Sequence, residues 1–185
     1  INADGFAAKL GVGPGNIFRG CIAHNNADDG WDLFNKIEDG PNASVTIENS
    51  VAYENGLPYN KADILKGSIG NGFKLGGEGQ PVNHKVINSI AINNNMDGFT
   101  DNFNTGSLIV RNNIAMNNAR YNYILRTNPY KFPSSILFDN NYSIRDDWEN
   151  KIKDFLGDTV NSVNYKLLVS HETGRLFTIE TLSEE

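Results

Sequence analysis

The stretch Asn25-Asn26-Ala27-Asp28-Asp29-Gly30-Trp31-Asp32 places three carboxylates within five residues, around a glycine and a tryptophan. Like charges that close repel one another unless a cation sits among them. A hard divalent cation suits the donors, because Ca²⁺ takes carboxylate and carbonyl oxygens at about 2.3–2.6 Å. The motif recurs: Asp4-Gly5-Phe6, Asn71-Gly72-Phe73 and Asp97-Gly98-Phe99 echo Asp29-Gly30-Trp31. The alternative is a solvated acidic turn in which one aspartate braces the bend.

The elements that must position these residues are copies of one unit. Five segments align on Ile22, Val51, Ile90, Ile114 and Tyr142, at spacings of 29, 39, 24 and 28 residues. A small residue follows each (Ala23, Ala52, Ala91, Ala115, Ser143), and Gly20, Asn49, Asn88, Asn112 and Asn140 stand two before. Phe18, Ile47, Val86, Val110 and Phe138 stand four before, with Arg19, Glu48, Ile87, Arg111 and Asp139 looking outward between. Alternation of this kind marks strands. A strand set repeated once per copy, without helical periodicity, predicts a parallel β-helix. Stacked asparagine side chains hydrogen-bond up and down such a ladder, so Asn49, Asn88, Asn112 and Asn140 are expected inside a turn.

A further strand carries Trp31, Phe99 and Tyr123 nine residues after three of the anchors. Phe73 arrives later, so a loop is inserted around residues 57–69. Its inward positions read Phe6/Ala8, Trp31/Leu33, Phe73/Leu75, Phe99/Asp101 and Tyr123/Leu125, and Asp101 alone breaks the apolar rule. Asp32, Lys74, Thr100 and Asn102 fall on the outward side, as do Ile124 and Arg126. Trp148, Ile152, Phe155 and Leu156 have helical spacing, with Gly157 as a stop. They predict a short C-terminal amphipathic helix over the end of the solenoid. The expected division is 1–143 for rungs carrying the site and 144–185 for capping helix and tail.

Rungs of a solenoid stack about 4.8 Å apart. Asp4 and Asp29 then occupy one column on neighbouring rungs, close enough to share an ion, and Asp28 and Asp32 add oxygens. Asp97, two rungs from Asp29, is about 10 Å away and too distant. The expected metal set is Asp4, Asp28, Asp29 and Asp32. Lys74 shares the Asp32 column one rung on. Beside a bound cation and screened from water, its ammonium form is disfavoured, which leaves an amine able to take a proton. The alternative is a salt bridge to Asp32. Small residues in Gly70-Asn71-Gly72-Phe73-Lys74-Leu75-Gly76-Gly77 clear room for a polymer.

The bulk properties narrow the field. A net charge of −6 over 185 residues argues against nucleic-acid binding. No apolar run approaches the roughly 20 residues of a membrane span. The lone Cys21 excludes an internal disulfide and reads as a small buried residue. The sequons at Asn42 and Asn141 are weak in an asparagine-rich chain. The chain opens inside a repeat copy, so rungs are expected ahead of Ile1.

Asn2-Ala3-Asp4-Gly5-Phe6-Ala7-Ala8-Lys9, Asn25 through Asp32, Gly70 through Gly77 and Phe18-Arg19-Gly20-Cys21-Ile22-Ala23-His24 closely resemble the family 9 polysaccharide lyases over about residues 1–143. The resemblance implies a right-handed parallel β-helix that cleaves pectic polymers by β-elimination. It implies Ca²⁺ at Asp4, Asp28, Asp29 and Asp32, and Lys74 as the base. It also implies a secreted, periplasmic or cell-surface monomer acting on an acidic polysaccharide, pectate. Lys9, Asn102, Arg126 and Tyr59 are then candidate substrate contacts. Two alternatives stand beside it. One is an inverting glycosidase, which needs one protonated carboxyl and a gap of about 6.5–9.5 Å. The other is a non-catalytic carbohydrate-binding β-helix.

Overall fold

The structure is a computed structural model describing residues 3–59, 68–126, 134–146, 154–173 and 176–181, with side chains as far as 166. Three parallel sheets wind along one axis. The first runs Ile17–Arg19, Thr46–Glu48, Lys85–Ile87, Ile109–Arg111, Ile136–Asp139 and Val160–Val163. The second runs Ile22–His24, Val51–Tyr53, Ile90–Ile92, Ile114–Met116, Tyr142–Arg145 and Lys166–Thr173, and Leu176–Thr181 closes it antiparallel. The third runs Trp31–Asp32, Phe73–Lys74, Phe99–Thr100, Tyr123–Leu125 and Phe155–Leu156, and Phe6 bridges to Trp31. Each copy therefore gives one strand to each sheet, the arrangement of a parallel β-helix.

The register matches the alignment read from the sequence. Ile22 pairs with Val51, Val51 with Ile90, Ile90 with Ile114, and Ile114 with Tyr142. On the first sheet Phe18, Ile47, Val86, Val110 and Phe138 pair in turn. Equivalent residues stack because each rung repeats the geometry of the last.

Aromatic rings fill the core as a continuous stack. Phe6, Trp31, Phe73, Phe99 and Tyr123 lie 4.8, 4.8, 4.8 and 5.0 Å apart between centroids, with planes within 22° of parallel. Burying each ring withdraws a large apolar area from water, and stacked pairs add roughly 0.5–1.5 kcal/mol beyond that. Opposite the stack sit Ala23, Ala52, Ala91, Ala115 and Ser143, all buried. The small residues therefore face inward and their apolar neighbours outward; Ile22 is 60% exposed.

The expected asparagine column is displaced. Asn49, Asn88, Asn112 and Asn140 all have φ near +50°, from 50° to 56°. A left-handed residue breaks the strand's alternation, and these side chains point out of the coil. Asn112 still donates to Asn88 and Asn140 to Asn112, both at 3.0 Å, as an outer ladder. The buried ladder is one residue later, in Ser50, Ser89, Asn113 and Asn141. A second buried ladder runs Asn55, Asn94, Asn118 and Asn122, each amide donating to the next at 2.8–2.9 Å. Both sequon asparagines are structural, since Asn42 accepts the N–H groups of Gly11 and Val12 and Asn141 lies in the ladder.

Two further expectations are corrected. Phe155 and Leu156, placed in a C-terminal helix, form a strand against Ile124 and Leu125. The remainder of that helix, at 147–153, lies outside the described residues, as do residues 60–67 of the inserted loop. Cys21 is partly exposed rather than buried. Among the described residues the single helical element is the short turn Ile37–Asp39, and none is long and apolar enough to cross a membrane.

Candidate active site

The site grows from the turn that leads into the third sheet. Its sequence, Asp or Asn, then glycine, then an aromatic, has a distinct cause at each position. The aromatic enters the stack. The glycine lets successive turns touch: a Cβ on Gly30 would lie 2.7 Å from the Gly72 carbonyl oxygen and 2.8 Å from Asn55 Nδ2. The acidic or amide side chain turns along the axis and accepts the backbone N–H one rung on. Asp4 Oδ1 accepts from Asp29, Asp29 Oδ1 from Asn71, Asn71 Oδ1 from Asp97, and Asp97 Oδ1 from Tyr121, at 3.2, 2.8, 3.2 and 3.2 Å.

Each aspartate in this column spends one oxygen on the scaffold and presents the other. At Asp97 the second oxygen is closed by Arg120, whose Nη2 donates to Oδ2 at 2.5 Å while its Nε donates to Oδ1 at 2.8 Å. At Asp4 and Asp29 the partners are lysines. Lys9 Nζ donates to Asp4 Oδ2 at 2.7 Å and to Asp32 Oδ2 at 2.5 Å. Lys74 Nζ lies 3.1 Å from Asp29 Oδ2 and 3.4 Å from Asp32 Oδ1. Asp28 is held through Oδ1 by the N–H of Ile69 at 2.7 Å.

Oxygens of Asp4, Asp28 and Asp29 all lie within 4.8 Å of one another. Three hard oxygen donors at that separation, on two stacked turns, fit a Ca²⁺-sized cation. Asp32 stands outside this trio and joins it through the two lysines. Burial pushes the Asp29 carboxyl up to about 6, against the downward pull of Lys74. Burial works against the charge on Lys74, but Asp29 and Asp32 outweigh it and its pKa is raised above 10.5. The depressed lysine expected from the sequence is one beside a bound cation, whose charge adds to the effect of burial. Lys9 is raised too, with Asp32 and Asp4 overcoming the effect of burial.

The other expected site residues divide. Tyr59 is 83% exposed and meets His24 edge-on, with centroids 6.3 Å apart. Asn102, with φ of 44°, donates from Nδ2 to the Gly76 carbonyl at 2.7 Å. Arg126 was placed on the outward side, but it is only 4% exposed. Its φ of 60° turns the side chain inward, where it donates to the carbonyls of Asn104 and Gly106. Its guanidinium is thus committed to two backbone carbonyls. Asp101, the polar exception in the core, accepts the Arg126 N–H at 2.7 Å.

Sequence reasoning missed two supports. Asn71 clamps Asp29 Oδ1 through its backbone N–H and its Nδ2, at 2.8 and 2.9 Å. Its signal was the one amide in a column of aspartates. Phe34 lies beneath Lys74, with Nζ 5.4 Å from the ring centroid. Gly77 makes room for that ring, whose Cδ2 would stand 2.3 Å from an added Cβ, and Gly76 makes room for Asn104. These glycines accommodate protein rather than a polymer.

A family described as "Pel9A-like, right handed beta helix region" matches residues 1–146. The chain belongs to this family. Over 145 residues it is 56% identical to a pectate disaccharide-lyase of Dickeya chrysanthemi, covering 78% of this chain and 18% of that protein. It is 46% identical to a pectate lyase L of Paenibacillus polymyxa over 142 residues, 77% of this chain and 31% of the relative. The Pel9A-like coil also superposes on the crystal structure of pectate lyase Pel9A with a TM-score of 0.73 at 36% identity, covering 88% of this chain and 37% of that one. A rhamnogalacturonan lyase gives a TM-score of 0.69 at 28% identity, covering 88% and 42%. The chain thus spans between about a fifth and two fifths of these proteins.

Proposed function

We propose that this chain carries the catalytic centre of a calcium-dependent polysaccharide lyase that cleaves pectate by β-elimination. The observation that carries the reading is Lys74 Nζ, 3.1 Å from Asp29 Oδ2, one rung from a trio of carboxylates gathered within 4.8 Å. The named activities of the pectate lyase relatives support it.

Asp4, Asp28 and Asp29, with Asp32 beside them, would hold the cation. When bound, Ca²⁺ neutralises the substrate's uronate carboxylate and acidifies the adjacent C5 proton. Lys74 takes that proton at Nζ. The C5–H electrons form the C4–C5 double bond, and the C4–O bond breaks with the oxygen leaving. Asn71 and the Ile69 N–H fix Asp29 and Asp28, so the site is preorganised rather than assembled on binding. The Lys74 side chain is only 14% exposed, and its Nζ lies 5.4 Å from the centroid of the Phe34 ring. Tyr59, exposed at the rim, supplies a surface for a sugar ring. The inverting-hydrolase alternative needs a protonated carboxyl across from a base, and here the neighbouring carboxylates face lysines instead.

The test is turnover of polygalacturonate by this chain, with rhamnogalacturonan as the control substrate. A product absorbing in the ultraviolet, lost with chelator and restored by Ca²⁺, is the expected result. New reducing ends without that absorbance would establish a hydrolase. Binding without turnover would leave a carbohydrate-binding module.

A further inference from the structure

Lys9 has no counterpart in the chemistry of proton transfer, yet it is tied into the site as firmly as Lys74. Its ammonium bridges Asp4 Oδ2 and Asp32 Oδ2 at 2.7 and 2.5 Å. Both carboxylates are almost fully covered, with side chains 3% and 4% exposed, whereas Lys9 itself is 24% exposed and reaches the site from the solvent side. Asp32 is split between the two lysines, Oδ2 toward Lys9 and Oδ1 toward Lys74. With all groups ionised, the four aspartates and two lysines carry a net charge of −2, the charge that one divalent cation neutralises.

We propose that Lys9 is a built-in counter-ion that sets the charge and affinity of the cation site. It is a positioning residue and takes no part in the chemical step. The inference rests on the cation site proposed above. Lys9 bridges Asp4 to Asp32, and it removes one negative charge from the cavity. A cation approaching the trio competes with the ammonium for Asp4. Affinity is thereby held down, and selectivity is tuned to charge +2 over charge +3.

The Coulomb interaction of one charge with a divalent ion about 6 Å away, in a water-like medium, is worth about tenfold in affinity. Removing the Lys9 charge should therefore tighten Ca²⁺ binding about tenfold. A trivalent ion gains half as much again in free energy, so preference for Tb³⁺ over Ca²⁺ should rise about threefold.

The experiment measures Ca²⁺ binding by calorimetry and Tb³⁺ binding by luminescence on the 185-residue chain. It compares the parent with Lys9→Met, which keeps the aliphatic stem, and with Lys9→Gln and Lys9→Arg. Tighter Ca²⁺ binding and a raised Tb³⁺ preference in the Met and Gln variants, with Arg close to the parent, support the inference. Parent-like or weaker Ca²⁺ binding in Met and Gln variants whose circular dichroism is unchanged overturns it while leaving the cation site standing. If both neutral variants lose the parent's circular dichroism, Lys9 is a structural brace and the inference is overturned. An absence of binding in the parent and all variants overturns the cation site itself, and the inference with it.

Discussion

Lys74 Nζ sits 3.1 Å from Asp29 Oδ2, across one rung of the third sheet. The contact joins the proposed base to the proposed cation site. Lys74→Ala should abolish lyase turnover while Ca²⁺ binding persists. Lys74→Arg should be nearly as inactive, because a guanidinium stays protonated above pH 12 and cannot accept the C5 proton. Turnover by the parent should rise with pH as the amine is freed. A merely structural ion pair makes the opposite forecast: arginine would rescue. Initial rates of ultraviolet-absorbing product for the three chains decide between them.

Asp29 offers a separate handle. Its Oδ1 is committed to Asn71, and its Oδ2 faces Lys74 within a fully buried side chain. Asp29→Asn keeps an acceptor for the Asn71 N–H but removes the charge. Its Ca²⁺ affinity should fall by tenfold or more, with melting little changed. Calorimetric titration returning the parent's affinity would remove Asp29 from the ligand set.

The scaffold can be tested at Asn94. Its Oδ1 accepts from Asn55 Nδ2 at 2.8 Å, and its Nδ2 donates to Asn118 at 2.8 Å and to the Ala52 carbonyl at 3.1 Å. Asn94→Ala leaves buried donors and acceptors on both neighbouring rungs without partners, at about 1–3 kcal/mol each. Urea unfolding should show a loss of at least about 3 kcal/mol. Asn88→Ala, in the solvent-exposed outer ladder, should cost under about 1 kcal/mol. Equal losses at the two positions would mean that burial is not what makes the inner ladder valuable.

The rungs were legible because a repeated solenoid writes its register into the sequence: Ile22 and Val51 align by pattern and pair in space. The aspartate column was legible for the same reason. What failed was alternation carried past a turn. Asn88 and Arg126 have φ values of 52° and 60°, and a left-handed residue reverses which way the side chain points. Nothing in residue type announces that conformation for an arginine. The lysine pairings were half legible. The Lys74 column was legible, but the bridge from Lys9 to Asp32 joins neighbouring rungs through side chains 23 residues apart that no local pattern links. Pairing with Asp29 and Asp32 decides the direction of the Lys74 shift, whereas the expectation from the sequence rests on burial together with a bound cation.

A final prediction concerns His84, buried just ahead of the strand Lys85–Ile87. Its Nδ1 accepts the Val45 N–H at 3.0 Å, so the neutral ring carries its proton on Nε2. Burial holds its pKa down at about 4, below the ordinary 6.5. Between those values the unfolded chain binds a proton that the folded chain refuses, so folding stability rises with pH. The contribution is fully present above pH 6.5, shrinks as pH falls through the window, and is gone by about pH 4. A shift of that size corresponds to about 3 kcal/mol. Asp101 works the other way. Burial raises its carboxyl to about 6, so its contribution falls as pH rises from 3.8 to 6. The parent's own pH profile therefore mixes opposing slopes, and a difference isolates His84. The stability gap between the parent and His84→Leu should narrow by about 3 kcal/mol, in the leucine's favour, from pH 7 to pH 4. Urea midpoints for both chains at half-unit steps would measure it. A gap that stays constant across the window would show that His84 titrates alike in the folded and unfolded chains.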